Sequence, residues 1–406
     1  ALSCTGRNTR SGTLRVLPLQ APDPMTPRGI HLQYSFEARG QEGAQIENPL
    51  FDLLSALQAE GSIGHAAKAL GQSYRHVWGA LKHWETVLGS ALVVWAKGQP
   101  ARLTPFAERL VWAERQARTR LTPHVEALRT ELSRVFAQAD DTGLLLLDIA
   151  ASHDLGLPRL QSLAEQQHAL HLSLRFTGSE DALRSLHDGR CSVAGFHVPR
   201  RAGGSSLFAR GLRPLLRPGT HKLIGSHWRR QGLMLRPAAA DAAALQGLDD
   251  TGLLHALAAG RCRFVNRQPG SGTRRLLEHL LAEAGLDMLQ IEGIDRQVEH
   301  THVAVAAAVA AGSADLGLGV EAAAREFGLD FRPLVDEDYF LVCLKSALDT
   351  PAVQALRATL AGPAWAQALQ ALPGYGVQQA GEVLSLKRAL PWWNYRRAKP
   401  PHTRPG

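Results

Sequence analysis

Cysteine is scarce in this chain. Cys4, Cys191, Cys262 and Cys343 are scattered, with no CxxC pair and no histidine-paired spacing. That argues against a zinc site and a disulfide framework, and it fits a reducing cytoplasm. No stretch approaches the roughly 18 consecutive apolar residues of a membrane span, so none is expected. An HxxxH-type metal set and a nucleophile elbow are both missing, and Ser152-His153-Asp154 lie too close in sequence to converge as a triad. The expectation is therefore no metal, no catalytic residue and no cofactor. Acidic residues are outnumbered, 37 against 45 Lys and Arg, giving a net charge of +8. A basic balance favours polyanionic partners, nucleic acid above all. Ten Lys/Arg against five Asp/Glu between Gly71 and Arg134 concentrate much of that surplus in one segment.

At 406 residues the chain is expected to hold two or three folding units. Residues 1–24 contain Arg and Pro without the apolar core of a secretory signal, and Met25 is a candidate natural start. Residues 1–40 are read as a disordered or extended segment. From Asn48 the pattern turns helical: Leu50, Leu53, Leu54 and Leu57 share a face, and Gly61 stops the helix. A short helix over about Gly64–Leu70 follows, then Gly71, then a third helix capped by Ser73 and closed by Gly89. Ala91–Ala96 and Ala101–Leu103 read as two strands around a turn at Lys97–Pro100. Thr104 caps a long helix whose stripe runs through Phe106, Leu110, Ala113, Ala117 and Leu121, then Val125, Leu128, Leu132 and Val135. Pro123 predicts a kink or a restart in it.

Two short helices, a tight turn and a strand-turn-strand make a winged helix-turn-helix, here placed over 41–104, with a linker and dimerisation helix over 105–140. Val77, Leu81, Trp84 and Leu88 face inward, as do Ala66, Ala67 and Leu70 on the preceding helix. That leaves Ser73, Tyr74, Arg75, His76, Gly79 and Lys82 outside to meet duplex DNA. Arg75 suits guanine or phosphate, and Lys97 and Arg102 flank the wing tip. The stretch Gly61–Arg109, with Ser73-Tyr-Arg-His-Val-Trp78 and Arg102-Leu-Thr-Pro-Phe106, resembles the N-terminal domain of molybdate-responsive regulators and, more distantly, of LysR-type regulators. The resemblance implies DNA binding and a homodimer formed through the long helix. Ala107 departs from it, where these families often carry glycine.

Beyond Gly143 short strands alternate with helices, the rhythm of an α/β domain with a parallel sheet. The strands are read at Leu144–Ala150, Leu172–Phe176, Cys191–His197, Lys222–Ser226, Arg263–Asn266 and Asp315–Val320. Helices fall at about Pro158–Gln166, Ser179–Asp188, Gly272–Ala284 and His302–Ala311. Three strand-to-helix junctions offer the hydroxyls and backbone N–H groups that hold small anions: Ser152 after the first strand, Gly178-Ser179 after the second, and Asn266-Arg-Gln-Pro-Gly-Ser-Gly-Thr-Arg274. The last lacks phosphate-loop spacing. Phe264–Arg274 and His302–Gly319 resemble the cytoplasmic periplasmic-binding-protein-like domain found fused to helix-turn-helix segments or to molybdenum-cofactor biosynthesis proteins. The similarity runs over about 144–386, and Pro269 departs from it where a basic residue is common.

The resemblance implies two α/β lobes closing on an effector, molybdate or tungstate. Ser152, Ser179, Ser271 and Thr273 would supply hydroxyls, Gly178 and Gly272 N–H groups, and Arg267 and Arg274 charge. His153 and His302 are read as structural, and Glu321 as a helix-dipole cap. The sensing domain is assigned to 141–386 and a basic tail to 387–406, with Trp392 and Trp393 packing. The whole reads as a cytoplasmic, ligand-sensing transcription regulator without membrane contact. Two other classes compete: an enzyme or accessory protein of molybdenum-cofactor metabolism, and a ligand-insensitive DNA-binding protein.

Overall fold

A computed structural model describes residues 36–37, 45–46, 48–94, 100–139, 144–237, 245, 247–390 and 392–393. Two short strands, β1 (Phe36–Glu37) and β2 (Gln45–Ile46), pair antiparallel. Three helices follow: α1 (Asn48–Glu60), α2 (Ile63–Ala69) and α3 (Tyr74–Leu88). Glycines at φ near +60° end or separate them, because an L side chain is disfavoured there: Gly61, Gly71 and Gly89. The Ser73 hydroxyl accepts from the His76 N–H at 3.2 Å and fixes the start of α3. Ala66 and Ala67 lie fully under Leu50, Leu54, Leu57, Val77 and Leu81, so small side chains let α2 sit close on its neighbours. Strands β3 (Val93–Val94) and β4 (Arg102–Leu103) pair antiparallel as a wing. The Ala101 N–H donates to the Gly61 carbonyl at 2.8 Å and ties the wing to the α1–α2 turn. The turn between the strands, with Lys97, lies outside the described residues.

Helix α4 (Pro105–Ala139) is capped by Thr104, whose hydroxyl accepts from the Ala107 N–H at 3.1 Å. The expected restart at Pro123 does not occur: the helix runs through it without a break. A proline removes only one N–H donor, and the 35-residue helix keeps its remaining ladder on both sides.

The α/β region is built on one mixed ten-stranded sheet that divides into two lobes. In the first, β5 (Leu145–Ser152) runs parallel between β6 (Leu170–Thr177) and β7 (Val193–Pro199). In the second, β9 (Phe264–Arg267) runs parallel between β10 (Val298–Glu299) and β11 (Leu316–Val320). Two 15-residue strands, β8 (His221–Leu235) and β12 (Asp330–Leu344), pair antiparallel with each other and pass through both lobes. β12 joins β7 through Glu337–Cys343, and β8 joins β11 through Gln231–Leu235. The parallel sheet expected from the alternation is found as the parallel part of a mixed one: Lys222–Ser226 is one end of the antiparallel β8, and β12 was not anticipated.

Helices pack on both faces: α5 (Leu157–His168), α6 (Ser179–His187), α7 (Leu207–Leu212), α8 (Asp250–Ala258), α9 (Gly272–Glu283), α10 (His302–Ala310), α11 (Glu321–Glu326), α12 (Pro351–Ala361) and α13 (Pro363–Gln370). The chain adds β13 (Tyr375–Val377) and β14 (Val383–Leu384) to β8, then α14 (Leu386–Ala389). Trp392 and Trp393 are buried in the core beside Leu386 and Leu390, so the supposed tail begins inside the fold. Among the described residues no helix is long and apolar enough to cross a membrane.

In each lobe the first strand is central, and the strands that follow it lie on opposite sides. That order opens a crevice at the carboxyl end of the central strand, where α/β sheets bind ligands. The two central strands end at Ser152 and Arg267.

Candidate functional site

Both strand ends face one cavity of about 150 Å³. The first lobe contributes Ser152, His153, Phe176, Thr177 and His197; the second contributes Arg267, Gln268, Ser271, Gly272, Thr273 and His300–His302. Arg229 comes from β8, and Arg120 and His124 come from α4. The lobes touch here: a methyl on Gly272 would lie 1.8 Å from His197 Nε2, and one on Gly178 would lie 2.5 Å from the Gly270 carbonyl oxygen. Only glycine permits either approach. Glu180 on α6 pairs with Arg275 on α9 across the same cleft.

Two buried arginines, Arg229 and Arg267, line the cavity. Arg267 is 4% exposed and has no carboxylate partner among the described residues. Its Nε donates to Gln268 Oε1 at 3.2 Å and its Nη2 to the His300 carbonyl at 2.8 Å, while Nη1 has no partner. Burial, helped by the nearby charge of Arg229, pulls its pKa down to about 9. Arg229 is compensated: Nη1 bonds Asp154 at 2.9 Å and Nε bonds Glu337 at 3.0 Å. Burial opposes its charge, but the two carboxylates outweigh it and hold the guanidinium protonated. Its Nη2 remains without a partner.

Three buried histidines complete the lining. Burial lowers the pKa of His153 to about 3 and of His197 to about 4, and it lowers that of His302 well below the usual range. His153 Nδ1, His197 Nε2 and His302 Nδ1 have no hydrogen-bond partner among the described residues. A neutral imidazole presents one N–H and one acceptor, so these rings can serve as hydrogen-bond donors without carrying charge. Two helices aim their N-termini at the cavity. α9 begins at Gly272 behind the Ser271 cap, and α10 begins at His302 behind Thr301, whose hydroxyl accepts from the Ala304 N–H at 3.0 Å.

Of the residues singled out from sequence, Ser152, Arg267, Ser271, Gly272 and Thr273 meet in this cavity. Arg274 does not: it is committed to Asp295, with Nη2 to Oδ2 at 2.8 Å, and leans toward Glu278. Gly178 and Ser179 lie outside the lining. Gly178 serves the lobe contact, and the buried Ser179 hydroxyl has no partner. His153 and His302, read as structural, are walls of the cavity. Arg229, His300, Arg120 and His124 were missed. They come from elements scattered over the chain, and no local motif joins them.

Ser152 Oγ lies 3.0 Å from His197 Nδ1, and His197 Nε2 lies 3.8 Å from Glu337 Oε1. This trio is a poor charge relay. His197 is a weak base at neutral pH, and Glu337 Oε2 is taken by Arg229 and by Gln231 at 2.6 Å. It is better suited to aiming the His197 ring. Among the described residues no group of three His, Cys, Asp or Glu side chains is placed to share a metal ion.

At the other end of the chain, Ser73, Tyr74, Arg75, His76, Gly79 and Lys82 form an exposed face of α3, and Arg102 is exposed on the wing. Lys82 pairs with Glu85 at 2.7 Å and lies 5.0 Å over the Trp78 ring. Glu85 was not anticipated. Its Oε1 accepts from the Leu92 N–H at 2.9 Å and braces the wing against α3.

Residues 50–108 match the lysR family of bacterial regulatory helix-turn-helix proteins, and residues 160–361 match the PBP superfamily domain. The chain is 28% identical over 210 residues to the uncharacterized protein YvgK of Bacillus subtilis, covering 52% of this chain and 64% of that protein. It is 32% identical over 111 residues to an uncharacterized protein encoded in the 5′ region of a 2Fe-2S ferredoxin gene of Clostridium pasteurianum, covering 27% of this chain and 97% of that protein. A mutant OxyR of Corynebacterium glutamicum aligns over 79% of this chain and 92% of its own at 17% identity, with a TM-score of 0.38. That superposition is too loose to transfer a role.

Proposed function

The chain belongs to the same family as the Clostridium pasteurianum protein and joins a lysR-family helix-turn-helix to a PBP-superfamily domain, and from that premise we propose that it is a cytoplasmic transcription regulator sensing a small oxyanion. The observation that carries the effector class is Arg267, a buried guanidinium without a counter-charge, with one N–H pair unbonded at the cavity. Leaving a buried charge uncompensated is costly, and an anion in the cleft removes the cost. Arg229 Nη2, the Ser152, Ser271 and Thr273 hydroxyls, neutral imidazoles and two helix N-termini supply the remaining donors. A cavity of about 150 Å³ has room for a tetrahedral oxyanion such as molybdate or tungstate.

DNA is read by α3, with Ser73, Tyr74, Arg75 and His76 at the end that enters a major groove, and by Arg102 on the wing. Two copies act together. Leu121, Leu128 and Leu132 are 41%, 48% and 39% exposed, and with Val125 they follow the 3–4 spacing of a coiled-coil seam. A second α4 would cover them. Effector binding alters DNA affinity only through a difference in anion affinity between the two states. Selection of bound fragments from a random duplex library, with and without molybdate or tungstate, tests the proposal. A palindromic motif whose enrichment shifts with the anion is expected; a failure to enrich any duplex sequence would overturn it.

A further inference from the structure

The cavity is not built by the α/β domain alone. Arg120 and His124, which help to wall it, belong to α4, the helix that carries the DNA-binding module. Arg120 grips Glu299 with a fork: Nε lies 3.1 and 3.2 Å from the two carboxylate oxygens, and Nη2 lies 2.5 Å from Oε1. Glu299 is 2% exposed and ends β10. Its carbonyl accepts from the Gln268 N–H at 3.2 Å, and the next carbonyl, that of His300, holds Arg267 Nη2. The clasp is therefore one residue removed from the guanidinium that lacks a counter-charge.

Other contacts hold α4 along the second lobe. Gln116 Nε2 lies 3.4 Å from Ser313 Oγ, and the Trp112 ring stacks on Phe327 with centroids 6.5 Å apart. The same helix also packs on β6 of the first lobe, the strand that ends at Phe176 and Thr177. α4 thus spans the mouth of the cleft and touches both lobes, with two cationic or donor side chains turned to the cavity. A spacer helix needs none of these features.

We propose that α4 is the lid of the effector cavity, and that Arg120 and His124 contact the bound oxyanion directly from the helix of the DNA-binding module. The proposal rests on the oxyanion reading above. An anion offers Arg120 a second acceptor beside Glu299, so occupancy and the placement of α4 become linked quantities. A ligand that the lid contacts in only one of its positions favours that position.

The test is isothermal titration of the full chain, wild type and Arg120→Ala, with molybdate, tungstate, sulfate and phosphate in turn. Hydrogen exchange of the 116–124 amides is followed with and without each anion. The wild type is expected to bind at least one anion and to slow exchange in 116–124. Arg120→Ala is expected to weaken that anion about tenfold or more and to lose the slowing. Arg120→Lys, which keeps the charge but not the fork, should fall between and guards against a folding defect in the alanine variant. Wild-type binding with unchanged affinity in both variants and no change in exchange would overturn the lid while leaving the oxyanion reading intact. No binding of any of the four anions by the wild type would overturn the oxyanion reading itself.

Discussion

Gly272 and His197 meet across the cleft with no room for a methyl group between them: a Cβ at 272 would stand 1.8 Å from His197 Nε2. His197 is buried and braced by Ser152, so it cannot swing aside. Gly272→Ala is expected to leave each lobe folded but hold the lobes apart. Anion affinity measured by calorimetry should fall at least tenfold, about 1.4 kcal/mol. Unchanged affinity would show that the closed contact is not needed for binding.

Arg267 is a stability cost in the empty protein. A buried donor without a partner costs about 1–3 kcal/mol, and this one carries charge. Arg267→Met removes the cost, offset partly by the lost bond to the His300 carbonyl. The effector-free Tm is expected to rise by about 2–4 °C, and the anion response should vanish. A lower Tm together with a retained anion response would contradict this.

The cavity histidines set a pH dependence. His153, His197 and His302 are held neutral when folded but titrate near 6.5 when unfolded. Their folded pKa values are depressed, so the unfolded state binds more protons below pH 6.5 and stability falls as pH falls. Each contributes up to about 1.4 kcal/mol per pH unit between 6.5 and its folded value, near 4 for His197 and near 3 for His153. Arg229 and Arg267 oppose their protonation, while Asp154 and Glu337 favour that of His197. Urea unfolding between pH 7 and pH 5 checks the slope, which His302→Gln should reduce. A flat profile in the wild type would mean that the rings are not held neutral.

Arg75 is exposed on α3. Arg75→Ala is expected to weaken duplex binding about tenfold or more by a single contact of about 1–3 kcal/mol, with Tm unchanged. Equal affinity of variant and wild type for the selected duplex would remove α3 as the reading element.

The helical third of the chain was legible because its signals are local. Gly61 and Gly89 stop helices, Ser73 and Thr104 cap them, and Val77 and Leu81 recur at helical spacing. The long shared strands were not. β8 and β12 carry Arg229, Gln231 and Glu337 at fully buried positions, bonded to one another and to Asp154. Charged residues in mid-strand break the apolar pattern by which strands are read. The cavity loop at 266–274 was visible as glycine and hydroxyl between strand and helix. The imidazoles were not, because His153, His197 and His302 converge only after β5, β7 and α10 are assembled. Nor could sequence show that Arg274 has Asp295 for a partner while Arg267 Nη1 has none among the described residues.

Thermal unfolding of the full chain, titrated with molybdate, tungstate, sulfate and formate at constant ionic strength, tests the central claim most directly. A saturable rise in Tm with molybdate and tungstate is expected, worth about 2.7 kcal/mol at a hundredfold excess over Kd. No rise with any of the four would contradict an oxyanion effector at Arg267.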